Sequence, residues 1–210
     1  MKALYIVDMQ KDFINPDGSL YIKDGAATIS NIQKLIAHTK EKRWPRLGSM
    51  DRHFMDDFEL EHFPPHCMNK AVGQQLVDEL DIKLIFAIPD KVGIHGKFAR
   101  FDYPTLVDII KQVYEYDMLV FEKQFTDVWT NPHIGFVVEK MGIDEVIVVG
   151  VASDFCVKDA VRGFLMRGVK VYLVVDAIAG TTPMRHQHAI EKMAEDGTTL
   201  IDTKDVLEME

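Results

Sequence analysis

The sequence predicts an α/β protein built around a parallel, doubly wound β-sheet. Short, continuous apolar runs recur along the chain, and each has the length of one strand that is buried on both faces, as in a parallel sheet. Segments with apolar residues at helical spacing separate these runs, which indicates repeated right-handed βαβ crossovers. No linker interrupts the alternation, so we expect one domain over residues 1–210.

The first half of the chain supplies two strands whose ends carry carboxylates. The predicted elements are a strand at 3–7, a helix at 26–42, a strand at 45–50 and a helix at 72–80. The cationic end of the first helix suits the helix dipole. The two strands are followed by Asp8 and Asp51.

The second half continues the alternation. The predicted strands lie at 84–88, 118–121, 146–149 and 169–175, and the predicted helices at 105–116, 134–141, 155–166 and 184–194. Lys123 and Cys156 each come shortly after one of these strands.

Charge and composition exclude several classes of function. A formal net charge of -9 at pH 7 repels phosphate backbones, and no cluster of Lys and Arg offsets it, so we expect no nucleic-acid partner. No apolar run approaches the roughly 20 residues that cross a bilayer, so we expect no membrane insertion. The two cysteines lie far apart and no signal peptide precedes Lys2, which favours a reducing cytoplasm. We interpret the acidic stretch at 56–61 as a solvated loop.

Four reactive side chains follow predicted strands: Asp8, Asp51, Lys123 and Cys156. Because the carboxyl ends of parallel strands meet at one edge of a sheet, we expect these side chains to converge there. Taken singly, Asp8 is typical of a cap, Lys123 of a surface lysine and Cys156 of a small buried apolar residue. Together they supply a nucleophile, a proton acceptor and a cation.

The segment at 150–157 places Cys156 near the start of a helix, after a turn of small residues. Backbone N–H groups and the helix dipole favour thiolate over thiol at such a position, and a neighbouring ammonium lowers the thiol pKa. We therefore expect Cys156 to have a lowered pKa.

Three motifs resemble those of the nicotinamidase and isochorismatase-like cysteine hydrolases. They are Val-Asp-Met-Gln-Lys-Asp-Phe at 7–13, Lys123, and Gly-Val-Ala-Ser-Asp-Phe-Cys-Val at 150–157, in the family's order across nearly the whole chain. The resemblance implies a catalytic triad of Asp8, Lys123 and Cys156. It also implies a three-layer α/β/α fold around a six-stranded parallel sheet, and a homo-oligomer.

Asp51, His53 and His66 offer one carboxylate and two imidazoles, a set that suits a divalent metal with open positions. These residues resemble the metal ligands of the nicotinamidases, in which the metal holds the pyridine nitrogen of the substrate. We therefore expect a divalent metal, zinc, and no organic cofactor. His186 and His188 stand at i and i+2, do not share a helix face, and are interpreted as surface residues.

The resemblance implies hydrolysis of a small planar amide through a thioester on Cys156, with Asp8 as the proton acceptor. The backbone N–H groups of Ala152 and Cys156 are expected to hold the oxyanion. In the family the peptide bond before the residue that matches Ala152 is often cis, so a cis Val151–Ala152 bond is expected. The predicted substrate contacts are Phe13, Gln10 and Trp129.

Other functions stay open. Residues 54–57 and 125–132 depart from the nicotinamidase pattern and 105–116 adds a helix, so the same chemistry on a carbamoyl, ureido or other small amide is one alternative. A non-catalytic ligand-binding member of the fold is another, although the intact triad argues against it. An isochorismate-type ether hydrolase is disfavoured, because such enzymes do not use a cysteine nucleophile.

Overall fold

A parallel sheet of seven strands forms the centre of the protein. The computed structural model describes residues 1–92, 97–98 and 103–210. The strands are β1 (Lys2–Val7), β2 (Arg46–Asp51), β3 (Ile85–Ile88), β4 (Lys91–Val92), β5 (Lys97–Phe98), β6 (Met118–Lys123), β7 (Glu145–Val151), β8 (Lys170–Ala179) and β9 (Thr199–Ile201). The sheet has the order β3-β6-β2-β1-β7-β8-β9, with parallel neighbours throughout, and β4 and β5 form a separate antiparallel pair.

The parallel α/β architecture is as the sequence predicts, but the predicted number of six strands is one too few. The additional strand, β9, has three residues and lies at the edge of the sheet. Its residues are exposed or half-buried, so it lacks the continuous buried run by which the other strands are recognised.

Helices connect the strands and cover the sheet. They are α1 (Lys11–Ile14), α2 (Ile29–Lys42), α3 (Tyr103–Lys111), α4 (Ile134–Lys140), α5 (Lys158–Leu165), α6 (Pro183–Glu195) and α7 (Thr203–Leu207). The predicted helix at 105–116 corresponds to α3 followed by a single 3-10 turn, Val113–Glu115. None of the helices within the described residues is long and apolar enough to cross a membrane.

The helix predicted at 72–80 is wrong. This segment forms two separate 3-10 turns joined by extended residues. The extended part forms backbone hydrogen bonds with the loop after β1, from Lys11 N to Gln75 O at 2.8 Å and from Val77 N to Met9 O at 3.0 Å. These long-range partners replace the local hydrogen bonds of a helix.

Two apolar cores lie on opposite faces of the sheet. Along β1, Ala3, Tyr5 and Val7 pack into one core, while Leu4 and Ile6 pack into the other. Successive side chains of a strand point to opposite faces, so a strand covered on both sides must be apolar throughout. The sheet is therefore the middle of three layers, with an apolar core on each of its faces.

The strand register brings distant residues to the carboxyl edge of the sheet. Asp51 of β2 is aligned with Lys123 of β6, and Val7 of β1 with Gly150 of β7. Gly150 has a φ of +111°, and a Cβ atom there would lie 2.1 Å from the Val7 carbonyl oxygen. Glycine is therefore required for the close approach that sets the turn after β7 beside Asp8.

Candidate active site

The four strand-end side chains meet at the carboxyl edge of the sheet. Lys123 is fully buried, and its Nζ lies 2.9 Å from Asp8 Oδ2 and 3.5 Å from Cys156 Sγ. The same ammonium donates a hydrogen bond to Asp51 Oδ1. A carboxylate oxygen of Asp8, one of Asp51 and the sulfur of Cys156 all lie within 4.8 Å of one another.

The two carboxylates that share this lysine have opposite pKa shifts. Burial raises the pKa of Asp8, and although Lys123 opposes this, the pKa stays above its ordinary value. Burial also raises the pKa of Asp51, but the charge of Lys123 and the nearby imidazoles of His53 and His66 outweigh it and lower the pKa. Asp51 therefore remains ionised, whereas Asp8 is the carboxyl group that can take up a proton.

The expected lowering of the Cys156 pKa is wrong. Burial is the largest influence and raises the pKa of the thiol, Lys123 lowers it, and the charges of Asp8 and Asp51 raise it further, so that it lies well above its ordinary value. The resting group is a thiol, so a nucleophilic role for the sulfur would require a neighbouring base to accept its proton. The pKa of Lys123 stays raised despite its burial, because Asp51 and Asp8 stabilise the ammonium.

The turn after β7 holds Cys156 against these groups. The Val151–Ala152 peptide bond is cis, as the resemblance led us to expect. The Ala152 carbonyl oxygen accepts hydrogen bonds from Phe155 N at 3.0 Å and from Val157 N at 3.1 Å. This winding forms a π-helical turn, which leads directly into α5.

A second buried group could hold a metal. One possible ligand atom from each of Asp51, His53, Glu59 and His66 lies within 4.8 Å of the others. His66 Nε2 is 3.6 Å from Asp51 Oδ2 and 3.9 Å from Glu59 Oε1. His66 Nδ1 is 2.8 Å from the Pro64 carbonyl oxygen, so Nδ1 can carry the proton and leave Nε2 free to ligate.

The chemistry of this group fits a divalent metal. His53 Nε2 is buried, lies 3.9 Å from Asp51 Oδ2, and makes no hydrogen bond to any residue that the structure describes. A bound cation would engage that nitrogen. Two carboxylates and two imidazoles together offer the mixed oxygen and nitrogen donors that such metals accept.

The interpretation of 56–61 as a solvated loop is wrong for two of its residues. Asp57 and Glu59 are each only 7% exposed. Asp57 Oδ2 lies 3.3 Å from His53 Nδ1 and accepts a hydrogen bond from Phe54 N. Burial raises the pKa of Glu59, and the charge of Asp51 adds to this. Glu59 is thus a candidate metal ligand that the sequence analysis did not predict. Its position in the sequence between His53 and His66 is the feature that could have indicated it.

A cavity of about 350 Å³ opens onto both groups. Phe13, Phe63 and Phe155 supply aromatic walls, and the rings of Phe63 and Phe155 meet edge to face at 5.7 Å. The other lining residues are Ser19, Leu20, Tyr21, Ile22, Asp51, Glu59, His66, Thr126, Ala152, Cys156 and Thr181. Phe13, a predicted substrate contact, thus lines the cavity, and its ring is 5.6 Å from that of His66.

The structure places Gln10 and Trp129, two expected substrate contacts, outside the cavity lining. Gln10 is fully buried, and its side-chain amide donates to Asp51 O at 2.8 Å and accepts from Asp51 N at 2.7 Å, so it fixes the end of β2. Trp129 Nε1 donates to Ala160 O, and its ring packs edge-on against Phe164 at 4.9 Å. Neither side chain lines the cavity, because each is held by partners elsewhere in the protein.

The chain matches known proteins along nearly its whole length. The family model of the isochorismatase domain matches residues 2–113 and 95–205. The nicotinamidase of Escherichia coli (strain K12) is 28% identical over 225 residues, which cover 97% of this chain and 96% of that protein.

Solved structures share the fold. The pyrazinamidase of Pyrococcus horikoshii in complex with zinc has a TM-score of 0.73 at 22% identity, over 96% of this chain and 98% of that one. The N-carbamoylsarcosine amidase of Thermoplasma acidophilum has a TM-score of 0.71 at 22% identity, over 96% of each chain.

Proposed function

The chain belongs to the isochorismatase family, and from that premise we propose that it is a cysteine amidohydrolase that releases ammonia from a small planar carboxamide of the nicotinamide type. One observation carries the proposal: Asp8, Lys123 and Cys156 meet in a buried group, and Cys156 lines the cavity. Burying a carboxylate and an ammonium away from water costs several kcal/mol for each ion. Such a cost beside a thiol and a cavity is typical of a functional site.

In the first half of the reaction, ionised Asp8 takes the thiol proton while the sulfur of Cys156 adds to the amide carbonyl carbon. The carbonyl oxygen becomes an oxyanion, held by the backbone N–H groups of Ala152 and Cys156. Each such donor lowers the barrier by about 3 kcal/mol. The C–N bond then breaks, the nitrogen takes the proton from Asp8, and ammonia leaves behind a thioester.

In the second half, Asp8 takes a proton from water as the water oxygen adds to the thioester carbonyl carbon. The C–S bond breaks and the proton passes from Asp8 to the sulfur. One amide and one water thus give one carboxylic acid and one ammonia, and the thiol is restored. Lys123 keeps its charge throughout, and its ammonium offsets the negative charge as it moves between carboxylate and sulfur.

The metal is proposed to be zinc, held by Asp51, His53, Glu59 and His66. When bound, it supplies an open Lewis-acid position that a ring nitrogen of the substrate can occupy. Phe13 and Phe63 both line the cavity beside His66, where their rings offer apolar contact to a planar substrate.

A second candidate substrate class is a small carbamoyl or ureido compound. The cavity lining includes the hydroxyl-bearing residues Ser19, Thr126 and Thr181. The hydroxyls of Thr126 and Thr181 donate to Asp159 and Asp154, but their oxygens can still accept a hydrogen bond from an N–H group of a carbamoyl or ureido substrate. The fold shared with the N-carbamoylsarcosine amidase of Thermoplasma acidophilum is consistent with this alternative.

Ammonia release tests the proposal. We expect the zinc-supplemented protein to release ammonia from nicotinamide, and Cys156→Ser and Asp8→Asn to lose at least about a thousand-fold in kcat/KM. Cys67→Ala is the matched control, because Cys67 is also buried but lies outside the triad. Release from carbamoyl compounds alone moves the substrate to the second class. Full activity of Cys156→Ser, or no release from either class, refutes the amidohydrolase.

A further inference from the structure

We propose that His186 is a positioning residue that fixes the turn carrying the oxyanion-binding N–H groups of Ala152 and Cys156; this rests on the proposed function. The interpretation of His186 as a surface residue is wrong. The side chain is half-buried, and its Nδ1 lies 2.8 Å from Ser153 Oγ. Ser153 is fully buried and follows Ala152 directly in the chain.

A short segment after β8 holds the turn through two consecutive side chains. We call residues 180–186 the clamp segment. Beyond the contact between His186 and Ser153, Thr181 N donates to Asp154 Oδ1 at 2.9 Å, and Thr181 Oγ1 donates to Asp154 Oδ2 at 2.5 Å. The clamp segment therefore binds both residues that separate Ala152 from Phe155.

Gly180 shows that this contact depends on a close fit. A Cβ atom at Gly180 would lie 2.5 Å from Ser153 Oγ and 2.8 Å from His186 Cβ. Any larger residue would push the clamp segment away from the turn. If His186 lay near Ser153 without a specific contact, a Cβ atom at residue 180 would not have to be excluded.

The proposed role predicts which kinetic constant changes. Ala152 and Cys156 would hold the carbonyl oxygen most strongly when it carries negative charge, which happens after substrate has bound. If the turn loses its anchor, the N–H groups are misplaced for that oxyanion. The loss then falls on kcat, while KM stays near its original value.

The test compares two histidines of the same helix. We expect His186→Ala to lower kcat roughly 10- to 100-fold with little change in KM. His186→Asn should recover most of the rate, because its side-chain amide places a polar atom where Nδ1 lies. His188→Ala is the matched control, since His188 is exposed and two residues away.

Three kinetic outcomes overturn the inference. They are an unchanged kcat in His186→Ala, a rise in KM alone, and an asparagine variant no better than alanine. Ser153→Ala should match His186→Ala, and the double variant should lose little more, because the two substitutions remove one shared contact.

An aldehyde separates failure of this inference from failure of the proposed function. Pyridine-3-carboxaldehyde adds to a thiol and forms a thiohemiacetal whose oxygen occupies the oxyanion position, without turnover. We expect His186→Ala to bind it at least about ten-fold more weakly than His188→Ala does. Equal affinity of the two variants, or no adduct with the unaltered protein, overturns the inference even where no amide is hydrolysed.

Discussion

Replacement of Lys123 by methionine should strongly destabilise the protein. The ammonium is fully buried, 2.9 Å from Asp8 Oδ2, and also hydrogen-bonded to Asp51. At an effective dielectric constant of about 20, one such contact is worth roughly 6 kcal/mol of attraction, part of which offsets the cost of burying the ammonium. Removing the cation leaves two buried carboxyl groups without it, and we expect a loss of about 3–5 kcal/mol in the free energy of unfolding.

Urea unfolding at neutral pH, followed by tryptophan fluorescence, measures this loss. Lys111→Met is the control, because Lys111 pairs with Asp108 on the surface, where both side chains are mostly exposed, and its removal should change stability little. Asp8→Asn combined with Lys123→Met should recover part of the stability, since a neutral amide replaces an uncompensated carboxylate. A loss below about 1 kcal/mol in Lys123→Met would show that the buried ammonium does not have the role that its contacts indicate.

The stability difference should also depend on pH. The pKa of Asp8 is already raised in the folded protein, and Lys123 is the charge that restrains it. Without Lys123 the pKa of Asp8 rises further, so the folded state binds its proton at higher pH than the unfolded state does. The free energy of unfolding of Lys123→Met then increases as the pH falls through that raised pKa. Its difference from the free energy of unfolding of the unaltered protein becomes smaller. If this difference instead becomes larger on acidification, Lys123 does not restrain the pKa of Asp8.

Three further predictions concern the site. Glu59→Gln should weaken zinc binding about 10- to 100-fold in a competition titration with a chromophoric chelator, whereas Glu61→Gln, at an exposed position, should leave it unchanged; equal affinities would remove Glu59 from the ligand set. The value of kcat/KM should fall on acidification with a midpoint above that of an ordinary aspartate, because Asp8 must be ionised to act as base; a midpoint at the ordinary value contradicts this. Iodoacetamide should alkylate Cys156 more slowly in Asp8→Asn than in the unaltered protein at neutral pH, as followed by mass spectrometry, because the buried thiol is protonated at rest and Asp8 accepts its proton in the proposed reaction; equal rates would contradict this.

The sequence predicts the sheet well because the physical signal is local. A strand buried on both faces must be apolar at every position, and β1, β6 and β7 are buried along almost their whole length. The convergence of Asp8, Asp51, Lys123 and Cys156 then follows from parallel topology alone. These inferences need no knowledge of which loops touch.

The errors arise where long-range contacts decide the outcome. The sequence predicts that Asp57 and Glu59 are solvated, because acidic runs usually are. Only the fold shows that Asp57 lies beside His53 and Glu59 beside His66. Trp129 is aromatic and close in sequence to Lys123, but its ring packs against α5 at Gly163. A Cβ atom at residue 163 would lie 1.8 Å from the indole nitrogen, so only glycine leaves room for this packing. His186 is assigned by helix periodicity to solvent, and a contact with Ser153 overrides that assignment.

The thiol illustrates a limit of motif reasoning that bears on mechanism. A cysteine at a helix start beside a lysine is typical of a lowered pKa, yet burial and two carboxylates reverse the direction here. The lysine charge is shared, and Asp51 is the carboxyl whose pKa is lowered, since His53 and His66 also stabilise its ionised form. Asp8 lacks those partners and retains affinity for a proton. In the proposed reaction, the arrangement that keeps the thiol protonated at rest thus also supplies a base beside it, so the nucleophile is formed only as it attacks.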